Sequence, residues 1–272
     1  MSVAIPPPMH ISTLFDVKDK VVLVTGGSRG IGLMIASGFV ANGAKVYITA
    51  RSKQVNEAAA KALTAQGPGE CISITGDLQS MADVQKLVAE IRNREPQGIH
   101  VLVNNAGANW GSPIEEYPDE AFEKVMNLNV RRVFSLTQAC LPLLLAAGTK
   151  EDPARVINIG SVDGIRTPAL ETYAYSASKA ALHHMTKVMA AQLPSRGHIT
   201  VNAVAPGPFE SKMMKATLDK FHDAIVNGIP LGRIGEPADM AGVCIYLASK
   251  AGAYVSGAVI PVDGGAVVRA AM

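Results

Sequence analysis

The stretch YAYSASKAAL, residues 173–182, places two phenols and one ammonium within a short segment that could transfer protons. On a helix, residues four apart lie on one face, so Tyr175 and Lys179 would be neighbours, whereas Tyr173 lies six residues before the lysine. A phenol titrates near ~10 in water, and an adjacent ammonium stabilises its phenolate form. The spacing therefore predicts Tyr175 as a general acid or base paired with Lys179, and Tyr173 as packing or as a wall of the site.

A serine precedes this segment at the end of a predicted strand, RVINIGS. Ser161 would then lie at the sheet edge from which the helix carrying Tyr175 departs. Its hydroxyl could donate to a substrate oxygen and hold that oxygen beside the phenol. We expect Ser161, Tyr175 and Lys179 to form one catalytic set.

A glycine-rich turn, TGGSRGIG at residues 25–32, directly follows the apolar run VVLVT and opens a helical pattern. Gly26 would permit a tight turn, Gly30 a close approach of backbone to a pyrophosphate, and Gly32 close packing of helix and strand. The helix N-terminus would present free N–H groups to the phosphates. In this strand–turn–helix context the pattern predicts a dinucleotide site.

The end of the second predicted strand indicates which dinucleotide binds. An acid there would bind a ribose 2′-hydroxyl and repel a 2′-phosphate, but no Asp or Glu occurs between Ala44 and Asn56. Arg51 and Lys53 stand there instead, and Arg29 adds a second guanidinium from the glycine turn. Guanidinium groups favour a phosphate, so we expect NADP(H). In the alternative interpretation, Arg51 and Lys53 only solvate the start of a helix.

Residues after two further strands are expected at the same edge. Asp77 could accept from an adenine amino group or cap the next helix, and the sequence leaves both roles open. The asparagines of NNAG suit left-handed backbone and side-chain bracing. The positions expected to contact the cofactor are Gly26, Ser28, Arg29, Gly30, Ile31, Gly32, Arg51, Asp77, Leu78, Asn104, Ala106, Gly107, Tyr175 and Lys179.

The elements that must position these residues alternate along the chain. Strands are predicted over 21–25, 45–49, 71–75, 100–107, 155–161, 199–207 and 258–265, and helices over 31–42, 53–66, 80–95, 119–147 with a break at Pro142, 172–193 and 236–249. Seven strands with about six helical crossovers indicate an α/β fold: a single domain with a doubly wound, Rossmann-like parallel sheet and helices on both faces. Residues 207–235 interrupt the rhythm and are expected to form a lid over the site. Residues 1–15, with Pro6–Pro8, are expected to be an extended leader to a domain over 16–272.

Composition narrows the class of protein. The 272 residues are 48% hydrophobic and 18% charged, which favours one large buried core. A net charge of +2 without a long basic run does not favour a nucleic-acid partner. Three distant cysteines without metal-ligand spacing predict buried thiols in a reducing, cytoplasmic compartment. The N-terminus lacks a secretory pattern, and no apolar run reaches the ~18 residues of a membrane span, so we expect no membrane partner.

Four ordered motifs, TGGSRGIG, NNAG, Ser161 and YSASK, resemble the short-chain dehydrogenase/reductase family over about residues 16–265. The resemblance implies that Lys179 also binds the nicotinamide ribose. It further implies that Asn129, in MNLNVRRVF, holds a water that links the lysine to solvent. Members usually form dimers or tetramers, so a homo-oligomer is expected. The family's PG-x-x-x-Thr segment near the nicotinamide is matched by PGPFES, which adds Pro206, Gly207, Phe209 and Ser211 to the cofactor contacts.

More narrowly, YAYSASKAALHH, IPLGRIGEP and GAVIPVDGG resemble the 3-oxoacyl reductase branch, including its rhamnolipid-associated type. Two departures concern the substrate. Ser161 lies fourteen residues before Tyr175, where thirteen is usual, and Asp163 is an acid where a small residue is common. The residues expected to wall the substrate cleft, in addition to Phe209 and Met214, are Trp110, Asp163, Leu170 and Met213.

The predicted function is reduction of a 3-oxoacyl or related apolar ketone by NADPH. Tyr175 would give the proton, and Ser161 would stabilise the developing alkoxide. A ketone reductase that does not act on acyl carriers is the alternative, and a non-catalytic NADP(H)-binding sensor is a remote one. A carrier-dependent enzyme should show a basic patch, for which Arg131, Arg132 and Arg166 are candidates. His183 and His184 have no third ligand and point apart, so we expect no metal and a helix–helix contact at a subunit interface.

Overall fold

The seven predicted strands form one parallel sheet. The structure is a computed structural model that describes residues 9–269. The strand order is β3-β2-β1-β4-β5-β6-β7, so the order reverses between β1 and β4, where such sheets bind ligands. The strands are β1 (Val21–Thr25), β2 (Lys45–Ala50), β3 (Glu70–Thr75), β4 (Val101–Asn104), β5 (Ala154–Ile159), β6 (Ile199–Pro206) and β7 (Val259–Val262).

The sheet separates two hydrophobic cores, one on each of its faces. Along β1, Val22 and Val24 face one core cluster, whereas Val21 and Leu23 face the other. This alternation follows from the two-residue period of a strand, and burial on both faces explains why VVLVT contains no charged residue. The predicted α/β fold, a doubly wound sheet with helices on both faces, is confirmed.

Nine α-helices flank the sheet within residues 9–269. The helix α4 begins as predicted, since the Ser80 hydroxyl accepts a hydrogen bond of 3.3 Å from the N–H of Asp83. The first helix lies inside the segment predicted to be an extended leader, and Phe15 after it packs on Tyr246 with ring centroids 6.4 Å apart. Pro6–Pro8 lie outside the described residues. The helices are α1 (Ile11–Leu14), α2 (Gly30–Ala41), α3 (Lys53–Gln66), α4 (Met81–Arg94), α5 (Asp119–Met126), α6 (Arg132–Ala147), α7 (Tyr173–Gln192), α8 (Lys215–Asn227) and α9 (Pro237–Ala248).

The predicted break at Pro142 is wrong. Helix α6 continues through Pro142, because the proline and Gln138, whose carbonyl loses its donor, both lie on the exposed side where water can replace the missing bond. The discontinuity lies earlier, in a π-helical turn at Asn127–Arg131 that joins α5 to α6.

The combined run, Asp119–Ala147, is 29 residues and meets the length and composition of a membrane-crossing helix. Core helices of globular domains meet the same criterion, and α6 contributes Leu136 and other side chains to the core.

The segment 207–235 contains α8, which the sequence did not predict. Phe221 interrupts α8 with a non-helical backbone, and Leu218 is its only buried residue. A single bridge joins Phe209 to Gly235, so the two ends of the segment meet. The role of this segment as a lid stays a prediction.

All three cysteines are buried and unpaired, as predicted. Burial raises the pKa of Cys71, Cys140 and Cys244 to about 12. These thiols are therefore core residues and poor nucleophiles.

Candidate active site

Helix α7 brings Tyr175 and Lys179 together as the helical spacing predicts. The Nζ atom of Lys179 lies 5.5 Å from the centroid of the Tyr175 ring. The same nitrogen donates a hydrogen bond of 2.8 Å to the carbonyl of Ile159, at the end of β5. Lys179 is only 5% exposed, whereas Tyr175 retains partial access to solvent. Lys179 is therefore the more buried member of the pair.

Ser161 lies beside this pair. It follows β5, is buried, and begins a short 3₁₀ turn whose Asp163 N–H donates to the Ser161 hydroxyl at 3.2 Å. The Ser161 side chain lowers the pKa of Tyr175, which is the effect expected of a hydroxyl that donates toward a phenolate. The structure thus brings the three predicted residues of the catalytic set to one sheet edge.

The electrostatics differ from the sequence-based expectation in one respect. We expected Lys179 to bring the pKa of Tyr175 toward neutrality. In the structure, burial dominates and raises the pKa of Tyr175 to about 12, with Ser161 lowering it and the Asp163 carboxylate raising it. Burial also lowers the pKa of Lys179 to about 8, because the ammonium is desolvated.

Asn129 occupies the π-helical turn and is 1% exposed. Its amide nitrogen donates to the Ala108 carbonyl at 2.9 Å and to the Ser178 hydroxyl at 3.0 Å, and its oxygen accepts from the Ala108 N–H at 2.8 Å. A Cβ atom at Gly107 would lie 3.2 Å from that oxygen and 3.8 Å from Nζ of Lys179, so these groups adjoin. Sequence reasoning missed Ser178, although its place between Tyr175 and Lys179 was a usable signal.

The glycine turn fits a dinucleotide. Gly26 and Gly30 have φ of 65° and 52°, which only glycine adopts readily. A Cβ atom at Gly32 would lie 2.3 Å from the Gly26 carbonyl oxygen. Asn105, one of the NNAG asparagines expected to brace the chain, does so by donating to the Thr25 carbonyl at 2.7 Å. The left-handed backbone expected for these asparagines is wrong, because neither has a positive φ. The N-terminus of α2 carries no side-chain cap, so its N–H groups are available to phosphates.

The donor set near the end of β2 fits a 2′-phosphate. Arg29, Arg51 and Lys53 are all exposed, and Lys53 has only a 3.9 Å ion pair with Glu57. Strand β2 ends at Ala50, and no acid follows before Asn56, whose side chain is buried and donates to the Ile74 carbonyl at 3.2 Å.

Two other predicted cofactor positions have internal partners. The Asp77 carboxylate accepts from the Gln79 N–H at 3.0 Å, and Ser80 caps α4, so the alternative role of Asp77 as the helix cap is wrong. The Asn104 amide donates to Asn158 at 2.9 Å and to a threonine hydroxyl at 3.1 Å, which braces β4 against β5. Leu78, Asn104 and Ala106 share the wall of a cavity of about 10 Å³.

The loop after β6 returns to the glycine turn. A Cβ atom at Gly30 would lie 3.2 Å from Cβ of Ser211, so Ser211 covers the N-terminus of α2. Beside it, a cleft of about 410 Å³ runs between α2 and α3. The prediction that Phe209 lines the substrate cleft is wrong: its ring is 2% exposed and packs against Gly235 in the core, where no larger residue would fit.

Three of the predicted wall residues keep much of their surface exposed. Trp110, Leu170 and Met213 are 45%, 50% and 49% exposed, so they are free to contact a ligand. Tyr173 is also exposed and donates to Glu171 at 2.5 Å, which is consistent with a wall position rather than with proton transfer.

The two histidines on α7 have different surroundings. His184 is exposed, but His183 is 6% exposed and packs against the loop that carries Ser161, so its predicted place in a helix–helix contact is wrong. No group of three or more potential metal ligands occurs within residues 9–269.

The chain is similar to several known proteins. A family model described as enoyl-(acyl carrier protein) reductase matches residues 26–267. The chain is 46% identical over 253 residues to a rhamnolipids biosynthesis 3-oxoacyl-[acyl-carrier-protein] reductase of Pseudomonas aeruginosa, covering 92% of this chain and 97% of the relative. It is 36% identical over 250 residues to the 3-oxoacyl-[acyl-carrier-protein] reductase FabG of Vibrio harveyi, covering 92% and 98%. The solved Pseudomonas aeruginosa RhlG/NADP active-site complex superposes with a TM-score of 0.90 at 45% identity, covering 95% of this chain and all of that one.

Proposed function

Because this chain belongs to the short-chain dehydrogenase/reductase family, we propose that it reduces a ketone with Tyr175 as the proton donor. The chain is an NADP(H)-dependent oxidoreductase, as its similarity to the NADP complex and the donors at its glycine turn indicate. The observation that carries the proposal is the stack of Lys179 under Tyr175 at the sheet edge where Ser161 emerges. A tyrosine without a role in the site would not be expected to lie over a buried ammonium.

Each side chain has a distinct task in this proposal. NADPH, when bound, supplies the hydride. The Ser161 hydroxyl donates a hydrogen bond to the substrate oxygen and positions it, and Tyr175 gives its phenolic proton to that oxygen as the alkoxide develops. Lys179 stabilises the phenolate left behind. Asn129 holds the Ala108 backbone and Ser178 in place, and a water that links Lys179 to solvent would bind at its remaining oxygen lone pair.

The pKa values are compatible with Tyr175 as the proton donor. A phenol whose pKa is raised to about 12 is protonated at neutral pH and is ready to act as an acid. Lys179, with a pKa lowered to about 8, is still mainly an ammonium at pH 7. Catalysis of reduction therefore needs no prior ionisation of Tyr175.

We propose a 3-oxoacyl thioester as the substrate class. The names of the relatives support this class, and the exposed Trp110, Leu170 and Met213 offer an apolar surface for an acyl chain. Arg166 is exposed and donates to the Ala266 carbonyl at 3.1 Å, which fixes a guanidinium on the loop that follows Ser161. Arg132 instead donates to the Gln79 carbonyl near Leu78, so it does not extend a basic patch around Arg166.

A ketone that is not carried on a thioester is the second candidate. The observation that favours it is the bond that ties Arg132 to Gln79 and takes it out of the predicted patch, because docking of an acidic carrier protein relies on several cations. A homo-oligomer and a lid over 207–235 are further expectations for either substrate.

The test measures NADPH oxidation with a 3-oxoacyl thioester, a simple β-keto ester and a cyclic ketone. The thioester should have the highest kcat/KM, and Tyr175→Phe should lower its turnover by roughly 10²–10⁴-fold while NADPH still binds. Tyr173→Phe, which removes the neighbouring exposed phenol, is the matched control and should retain turnover. Wild-type turnover in Tyr175→Phe would refute the role of Tyr175. NADPH binding without reduction of any ketone would favour the sensor.

A further inference from the structure

Two glycines, Gly160 and Gly164, lie on the loop that carries Ser161, and the ring of His183 fills the space that a side chain at Gly160 would need. A Cβ atom at Gly160 would lie 2.0 Å from Nε2 of His183. A Cβ atom at Gly164 would lie 2.6 Å from the backbone carbon of Lys179 and 2.9 Å from Cε1 of the same ring. Neither glycine has a positive φ, so the requirement is for close approach rather than for an unusual backbone. The imidazole is thus the group that packs against the residue directly before Ser161.

This ring is an uncharged spacer. His183 is 6% exposed, and its Nε2 atom has no hydrogen-bond partner within residues 9–269. Burial lowers the pKa of His183 to about 4, and the nearby Lys179 ammonium acts in the same direction. The imidazole is therefore neutral at working pH and does not compete with Tyr175 for protons.

The backbone beside Ser161 is fixed on its other sides. Lys179, one turn before His183 on α7, binds the Ile159 carbonyl, and the Gly160 N–H donates to the Val204 carbonyl of β6 at 2.7 Å. Besides these bonds, the loop meets α7 at two places: Gly164 lies against the α7 backbone, and Gly160 lies against the His183 ring, so the ring sets the spacing at the residue next to Ser161. Because Tyr175 belongs to the same helix, that spacing also sets the separation of the serine hydroxyl from the phenol.

We propose that His183 is a positioning residue. Its ring keeps Ser161 at the distance from α7 at which the Ser161 hydroxyl and the Tyr175 phenol can both bind the same substrate oxygen. The inference rests on the proposed function, in which both hydroxyls bind that oxygen. A residue that only filled the core would change stability without changing catalysis. A positioning residue must change turnover and the ionisation of Tyr175 as well.

The first experiment compares three alanine variants on α7. His183→Ala should lower kcat at least tenfold with an unchanged KM for NADPH. In alcohol oxidation, its pH–rate profile should move to higher pH, because a displaced Ser161 no longer lowers the pKa of Tyr175. His184→Ala removes the exposed neighbouring imidazole, and Met189→Ala removes buried volume two turns further on. Both controls should keep the wild-type kcat and profile, and Met189→Ala should lower the melting temperature.

A size exchange tests the same contact in a second way. Gly160→Ala places a methyl group in the space of the imidazole and should lower kcat, whereas the double variant Gly160→Ala/His183→Ala should recover at least part of that loss. A double variant no more active than Gly160→Ala, or a His183→Ala profile equal to that of Met189→Ala, would overturn the proposal. If His183→Ala does not fold, the Gly160→Ala pair decides the matter. Absence of ketone turnover in the wild type would instead refute the proposed function.

Discussion

The Lys179 ammonium lies 5.5 Å from the centroid of the Tyr175 ring, yet its hydrogen bond goes to the carbonyl of Ile159. The Lys179 ammonium therefore holds the end of β5 through a hydrogen bond and also lies against the ring of Tyr175. Because it is almost fully buried, this cation lowers the stability of the protein that it serves.

Lys179→Met should stabilise the cofactor-free protein at pH 7 while abolishing ketone reduction. Lowering the pKa from its ordinary 10.5 to about 8 corresponds to at most about 3 kcal/mol of destabilisation. Loss of the bond to Ile159 offsets about 1 kcal/mol of the gain. Chemical denaturation should then show a net gain of roughly 1–2 kcal/mol.

The pH dependence of that gain distinguishes charge burial from simple packing. The unfolded lysine takes up its proton near pH 10.5 and the folded one near pH 8, so the wild type loses stability as the pH falls between these values. The advantage of Lys179→Met should therefore be largest below pH 8 and disappear above pH 10.5. A constant advantage at every pH would contradict a buried ammonium.

Asp163→Asn should shift the oxidation of an alcohol by NADP⁺ to lower pH. The Asp163 carboxylate raises the pKa of Tyr175, so its removal should allow the phenolate to form at lower pH. The measurement is the rising limb of kcat/KM against pH. Glu171→Gln is the matched control, because that carboxylate binds the other phenol, Tyr173, and should leave the limb in place.

Arg51→Asp should exchange the cofactor preference. Loss of a bond to a charged phosphate costs about 1.5–3 kcal/mol, so the KM for NADPH should rise roughly 10- to 150-fold while the KM for NADH falls or stays constant. Lys61→Asp makes the same charge change on the exposed face of α3 and should affect neither constant. Equal effects of the two substitutions would mean that only long-range charge matters.

Gly32→Ala should weaken NADPH binding at least tenfold, because its methyl group would collide with the Gly26 carbonyl and open the turn. Gly242→Ala is the contrasting case. Apart from the backbone of α9 itself, no atom lies within 4 Å of a Cβ at that position, so alanine should stabilise the helix by about 1 kcal/mol and leave binding intact. Titration of NADPH fluorescence and thermal melting would measure both effects.

The sequence predicted the sheet and much of the site because both depend on local patterns. Strands buried on both faces show unbroken apolar runs, and a spacing of four residues on a helix places Tyr175 over Lys179 whatever surrounds them. The pKa of Tyr175 was not predictable in the same way, because it depends on how deeply the loop around Ser161 and Asp163 buries the phenol.

The misses share a physical cause. Pro142 was expected to end a helix because the pattern does not show that its turn faces solvent. Phe209 was expected at the cleft because its packing partner, Gly235, is distant in sequence. The sequence does not show that the His183 ring packs against Gly160, because the two residues become neighbours only in the folded chain.

The π-helical turn at Asn127–Arg131 has a consequence for deletion of residues. Such a turn holds one residue more than an α-helical turn, and each helical residue advances the chain by about 100°. Deletion of one residue there would leave a continuous α-helix, but it would rotate the Asn129 side chain away from Ala108. Natural length variation should therefore be tolerated after Gly148, at the surface end of α6, and rejected within these five positions.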